Sequence, residues 1–105
     1  MATEEQLQLT ATDLAGAFEL KPVGEADMDK LRAWLAEHLR YLIDRDVGQL
    51  MQVLYRIDVN ENEVKNALAT LPFDESIEHV AQLIIDRQLH KVITRQQYLQ
   101  PKGEW

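Results

Sequence analysis

The chain has 105 residues, a length typical of a single domain, and 46% of them are hydrophobic, which is enough for a small core. It carries 11 Lys and Arg against 18 Asp and Glu, and the net charge of −7 disfavours binding to nucleic acid or to an anionic membrane. The lack of cysteine excludes disulfides, thiol catalysis and Cys-ligated metal sites. No secretory leader is visible, and no apolar run approaches the ~20 residues that span a bilayer, so we expect a cytoplasmic protein.

Residues 1–24 show no consistent period and are expected to form an irregular N-terminal arm. Leu7 and Leu9 alternate with polar neighbours as in a short strand, and later apolar residues would suit one turn of helix. Residues 21–24 contain a proline and a glycine, which end any regular element. We therefore predict a partly docked arm followed by a helical domain at residues 25–105.

The remaining chain is patterned as helix. Its apolar residues recur at spacings of three and four, which place them on one side of a helix. Asp46 and Asn60, with Gln49 and Glu63 three residues later, form candidate capping boxes, and Pro72 ends a helix. We predict helices over about residues 26–43, 47–57, 61–71 and 75–98. The expected core residues include Met28, Leu31, Leu35, Leu39, Leu42, Val47, Leu50, Met51, Leu54, Val64, Leu68, Leu71, Ile77, Val80, Ala81, Ile84, Ile85, Leu89, Val92 and Ile93. The predicted fold class is all-α, a small bundle of about four helices.

One polar segment imitates a calcium-binding loop. Asp58, Asn60 and Asn62 match ligand positions 1, 3 and 5 of an EF-hand, which also needs glycine at position 6 and glutamate at position 12. Those two positions hold Glu63 and Ala69. We therefore expect turn and capping chemistry here, and no calcium site.

Residues 47–71 resemble a helix-turn-helix. A helix ending near Ile57, a turn at residues 58–60 and a helix with Val64 and Leu68 inward match the core spacing of that family. The resemblance implies DNA binding by the second of these helices. Its outward side chains are Glu61, Glu63, Lys65 and Asn66. Carboxylates are repelled by phosphate, so DNA binding is not the leading prediction. The alternative function is a nucleic-acid-associated regulator that uses this corner and a basic C-terminal helix.

The chain offers no recognisable metal or catalytic motif. Glu75, His79, Asp86 and His90 lie along one polar face of the last helix, but without the Glu-x-x-His or His-Glu-x-x-His spacing of metal proteins. We interpret them as solvated acid–histidine pairs. There is no glycine-rich phosphate loop, and serine occurs once. The sequence therefore predicts no catalytic residue, cofactor or metal, and a protein that is not an enzyme.

Charge is spread unevenly along the chain. Residues 87–102 carry four basic side chains and no acid, whereas residues 1–30 carry seven acids. The last helix is predicted to be longer than its neighbours, which would leave its apolar end uncovered. Either the folded-back arm or another chain must cover that end, and the simplest case of the second is a homodimer. We predict cover by another chain, and hence a function through protein–protein contacts as an adaptor, regulator or small subunit. The predicted partner-binding residues are Arg87, Lys91, Val92, Ile93, Arg95, Tyr98 and Leu99.

Overall fold

The structure, a computed structural model, describes residues 2–21 and 23–99. These residues form five α-helices and no strand: α1 (Glu4–Phe18), α2 (Met28–Arg45), α3 (Val47–Ile57), α4 (Glu61–Thr70) and α5 (Phe73–Leu99). The all-α class predicted from the sequence is confirmed, with five helices in place of about four. None of these helices combines the length and the apolar character needed to cross a membrane.

The prediction of an irregular N-terminal arm is wrong, because residues 4–18 form a regular helix. Thr3 starts it with a complete capping box: its Oγ1 accepts a hydrogen bond from the Gln6 amide at 3.1 Å, and its own amide donates to Gln6 Oε1 at 3.0 Å. The helix ends before Glu19, which takes a left-handed conformation with φ 58°. The buried residues of α1 are Leu7, Thr10, Ala11, Leu14, Ala15 and Phe18, at helical spacing.

The other four helices lie within about two residues of their predicted bounds, and short polar side chains start three of them. Asp27 accepts from the Lys30 amide at 2.8 Å, and Asp46 accepts from the Gln49 amide at 3.1 Å. Asn60 Oδ1 accepts from the amides of residues 62 and 63 at 2.9 and 3.3 Å. Each cap satisfies amide donors that have no partner within the helix, which fixes where the helix begins.

Helix α5 is the centre of the fold, because it packs against each of the other four helices. Helix α2 runs antiparallel to it, with Arg32 bonded to Gln82 at 2.9 Å near one end and Arg40 paired with Asp74 at 3.3 Å near the other. Helix α1 is also antiparallel to α5 but lies along its last turns. The N-terminal part of α5 is therefore enclosed by several helices, and its C-terminal part by α1.

The predicted core stripe of α2 is confirmed, since Leu31, Leu35, Leu39 and Leu42 are fully buried. Three other residues predicted to face inward are exposed instead: Val47 by 56%, Leu68 by 39% and Leu71 by 37%. In α4 the buried pair is Val64 and Ala67. The small Ala67 side chain suits a close approach of α4 to α5. Helix α4 is therefore rotated so that Ala67 faces the core, and Leu68, the next residue, is turned toward solvent.

Candidate functional site

The C-terminal part of α5 carries a shallow surface groove with a volume of ≈ 440 Å³. The groove is lined by Arg87, His90, Lys91, Thr94, Arg95 and Tyr98, and we call it the α5 groove. Its residues follow one another at spacings of three and one, which places Arg87, Lys91 and Arg95 four residues apart, so they share one side of the helix. Its lining combines the aliphatic stems and cationic ends of long basic side chains with the tyrosine ring. The arrangement suits a ligand that is both apolar and anionic.

Most of the predicted partner-binding residues meet in this groove. Four of the seven line it: Arg87, Lys91, Arg95 and Tyr98. Val92 is completely buried and Ile93 is half-buried, so Val92 cannot touch a partner while α1 is in place. The Leu99 side chain and Lys102 lie outside the described part of the chain. His90 and Thr94 were missed by the sequence reasoning, although their helical spacing from Arg87 would have found them.

Both arginines of the α5 groove form ion pairs. Arg87 Nη2 lies 3.1 Å from Asp58 Oδ2, and Arg95 Nη2 lies 3.0 Å from Asp13 Oδ2. Asp13 also accepts a hydrogen bond from Gln88 Nε2 at 2.9 Å. Because exposed ion pairs contribute at most about 1 kcal/mol, they orient the guanidinium groups more than they stabilise the fold. Within the described residues Lys91 forms no ion pair, so its ammonium group remains available.

The helix-turn-helix-like corner has its predicted helix bounds, but Leu68, predicted to face inward, is exposed, and the exterior is acidic. Helix α3 ends at Ile57, Asp58 adopts a left-handed conformation with φ 69°, and α4 begins at Glu61. On the outer face of α4, Glu61 pairs with Lys65 at 3.3 Å and Glu63 is exposed. The furrow between α4 and α5 is lined by the carboxylates of Asp58, Glu63 and Asp86, and on the α5 side also by Arg87 and His90. The basic residues of α5 therefore do not continue onto α4.

The possible metal ligands lie apart from one another. In residues 2–21 and 23–99, no three His, Asp or Glu side chains are close enough together to hold a metal ion. Asn60 Oδ1 of the calcium-like loop is already bonded to two amides of its own helix. His79, Asp86 and His90 are exposed along α5. These groups act in capping and surface solvation in the structure.

An aromatic contact joins α1 to α2. The His38 ring lies edge-on to Phe18, the last residue of α1, with ring centroids 5.5 Å apart, and it stacks on Tyr41 at 6.0 Å. His38 Nε2 is buried and has no hydrogen-bond partner within the described chain. Burial disfavours the imidazolium form and lowers the pKa of His38 from its ordinary value. The neutral ring is therefore the form that suits the attachment of α1.

Comparisons of the chain with models of protein families, with curated proteins and with solved structures found no match. The function is therefore inferred from the surface chemistry of this chain.

Proposed function

We propose that this protein is a non-enzymatic helical module of the cytoplasm that acts through protein–protein contacts, and that the α5 groove receives an acidic, partly apolar segment of its partner. One observation carries the proposal: four cationic or titratable basic side chains surround a tyrosine that is 88% exposed, on a protein whose net charge is −7. A surface with clustered basic side chains and an exposed aromatic ring, on a molecule that is acidic overall, is typical of a contact site.

Tyr98 is the natural anchor of such a contact. Its ring exposes most of its area, and burying it would remove apolar surface from water while the hydroxyl keeps access to a polar partner. Tyrosine has only two side-chain torsions to order, so binding costs little conformational entropy. Tyrosine and arginine are the residue types that contribute most strongly to protein interfaces. The groove places Arg95 three residues before this anchor.

The cations of the groove select an anionic partner segment. Lys91 is free to meet a carboxylate, and Arg87 and Arg95 can exchange their exposed intramolecular pairs at a cost of less than about 1 kcal/mol each. The net charge of −7 disfavours anions on the molecule as a whole, so the basic groove is a preferred place for an anionic segment to bind. Binding should therefore weaken as salt is raised.

The alternative, nucleic-acid binding by residues 47–71, gains less support. Phosphate contacts are made chiefly by Lys and Arg, and the outer face of α4 presents Glu61 and Glu63 beside Lys65. A module that serves as adaptor, regulator or small subunit fits these charges better.

The test is quantitative affinity capture from native lysate with two matched double variants. Lys91→Glu/Tyr98→Ser alters the groove, and Lys65→Glu/Tyr55→Ser makes the same chemical changes elsewhere, at exposed positions that include a tyrosine exposed by 89%. All four positions lie outside the core, so both variants should fold. We expect a partner that is retained by wild type and by the control, is lost from the groove variant, and elutes with salt. Equal recovery of every captured protein by the two variants would contradict the proposal.

A further inference from the structure

We propose that the partner segment received by the α5 groove carries a basic half next to its acidic half, and that the basic half lies in the furrow between α4 and α5. This inference rests on the proposed function, because it specifies the segment that binds at the same site. Three features of the structure support it: the groove and the furrow are continuous, they carry opposite charges, and Arg87 lies where they meet.

The α5 groove and the furrow form one continuous depression. The furrow has a volume of ≈ 420 Å³, close to the ≈ 440 Å³ of the groove, and Arg87 and His90 line both. From Leu83 in the furrow to Tyr98 in the groove, α5 rises by about 22 Å at 1.5 Å per residue. An extended segment covers that distance with about seven residues, at ~3.3 Å each. One short segment of a partner can therefore occupy both depressions.

The two depressions carry opposite charges. The groove adds Lys91 and Arg95 to the two shared residues, whereas the furrow adds the carboxylates of Asp58, Glu63 and Asp86. Within the described part of the chain, neither Glu63 nor Asp86 forms an ion pair. A segment that is acidic throughout would be repelled by the furrow, and a segment with a basic half would be attracted there. The charges thus set the order of the segment along α5, with its basic half toward Leu83.

Each depression also offers apolar surface. Val59 and Leu83 are half-buried and line the furrow, and the exposed ring of Tyr98 lines the groove. Burying an apolar side chain of the partner on each of them is favourable in proportion to the area removed from water. The segment is therefore expected to carry one apolar side chain in each half.

Arg87 can adapt to both halves of the segment. Its Nη2 pairs with Asp58 Oδ2 at 3.1 Å, but its Nε is buried and has no hydrogen-bond partner within the described chain. A buried donor without an acceptor is unfavourable. When a cation of the segment reaches Asp58, the Arg87 guanidinium can turn to a carboxylate of the acidic half. The intramolecular pair is then replaced by two pairs with the partner, and no charge is left unpaired.

Binding of synthetic peptides to the full chain tests the basic half. Two charge-divided peptides of about eight residues hold a phenylalanine among acids in one half and a leucine among lysines in the other, in the two possible orders. In a matched serine peptide for each order, serines replace the lysines. Dissociation constants are measured by fluorescence anisotropy at low salt. We expect one charge-divided peptide to bind at least about tenfold more tightly than its serine peptide.

A double-mutant cycle places the lysines in the furrow. Glu63→Gln/Asp86→Asn removes two furrow carboxylates, and the control Glu75→Gln/Asp44→Asn makes the same changes outside the furrow; all four positions are exposed, so both variants should fold. The furrow variant should bind the charge-divided peptide about tenfold more weakly and the serine peptide no more weakly than wild type. The control should bind both peptides as wild type does. Lys91→Glu/Tyr98→Ser should weaken the binding of both.

Three results overturn this inference: equal affinity for the charge-divided and serine peptides, a preference for the charge-divided peptide that survives in the furrow variant, or no measurable binding of either charge-divided peptide at millimolar concentration. If the affinities are equal but both are lost in Lys91→Glu/Tyr98→Ser, the proposed function stands, because the groove then receives an acidic segment without the furrow. If that variant binds every peptide as wild type does, both proposals fail.

Discussion

The two ends of α5 belong to one helix but depend on different parts of the molecule. In residues 73–87 the fully buried apolar side chains are Ile77, Val80, Ala81, Ile84 and Ile85. Among the described side chains of residues 88–98, Val92 alone is fully buried. The first part is enclosed by several helices, and the second by α1. The first part therefore belongs to the common core, to which α1 also contributes Ala11, Leu14 and Phe18, whereas Val92 lies outside that cluster.

The polar contacts of α5 with the rest of the molecule change partner at the same point. Residues 74, 82 and 87 of α5 bond to α2 and to the turn after α3, whereas residues 88, 95 and 96 bond to α1 alone. The groove and the predicted partner-binding residues lie at and beyond this division. The proposed contact surface therefore lies, apart from Arg87, on the part of α5 whose polar bonds to other helices reach α1.

The largest expected effects come from charges placed in the global core. Ile84→Asp and Leu54→Asp each bury an unpaired carboxylate at a position no more than 1% exposed. The free energy of unfolding should fall by more than about 4 kcal/mol, which removes most of the stability of a domain this size. Thermal melting followed by circular dichroism should show no cooperative transition above room temperature. A melting temperature within a degree or two of wild type would show that the core is wrongly assigned.

Val92→Asp is the matched substitution in the other region, because Val92 and Ile84 are both 0% exposed. Here the carboxylate can reach water if α1 detaches, so the cost is limited to the attachment of α1. We expect a partial loss of helical signal and a retained cooperative transition for the rest of the chain. A variant as unfolded as Ile84→Asp would show that the two regions form a single unit.

A smaller effect concerns pH and the contact between Phe18 and His38. Because the pKa of His38 is lowered in the folded state, the unfolded chain binds more protons below its ordinary pKa of about 6.5. Stability should therefore be complete above that pH and fall as pH drops through the folded-state pKa. His38→Gln should flatten this part of the curve of unfolding free energy against pH, whereas His79→Gln, at an exposed position, serves as the control. If the curve of unfolding free energy against pH has the same slope in His38→Gln as in wild type, protonation of His38 does not affect stability.

Capping and periodicity predicted α2 to α5 because both signals are local. Helix α1 was missed because Ala11 and Ala15 supply part of its buried stripe, while Leu7 and Leu9 imitate the alternation of a strand. Leu9 is in fact 36% exposed. The groove could be predicted from the spacing of basic residues on one helix. The sequence predicted Val92 both as a core residue and as a partner-binding residue, and it could not decide between them because that depends on which distant segment packs over α5.

Residue-by-residue amide hydrogen exchange under native conditions tests the division of α5 most directly. It reports the free energy of the opening through which each amide exchanges. We predict that the amides of α1 and of residues 88–97 exchange together, through an opening of lower free energy than that of α2 and residues 77–87. Exchange of all these amides at the free energy of global unfolding would contradict the claim that α1 and the end of α5 form a separable unit.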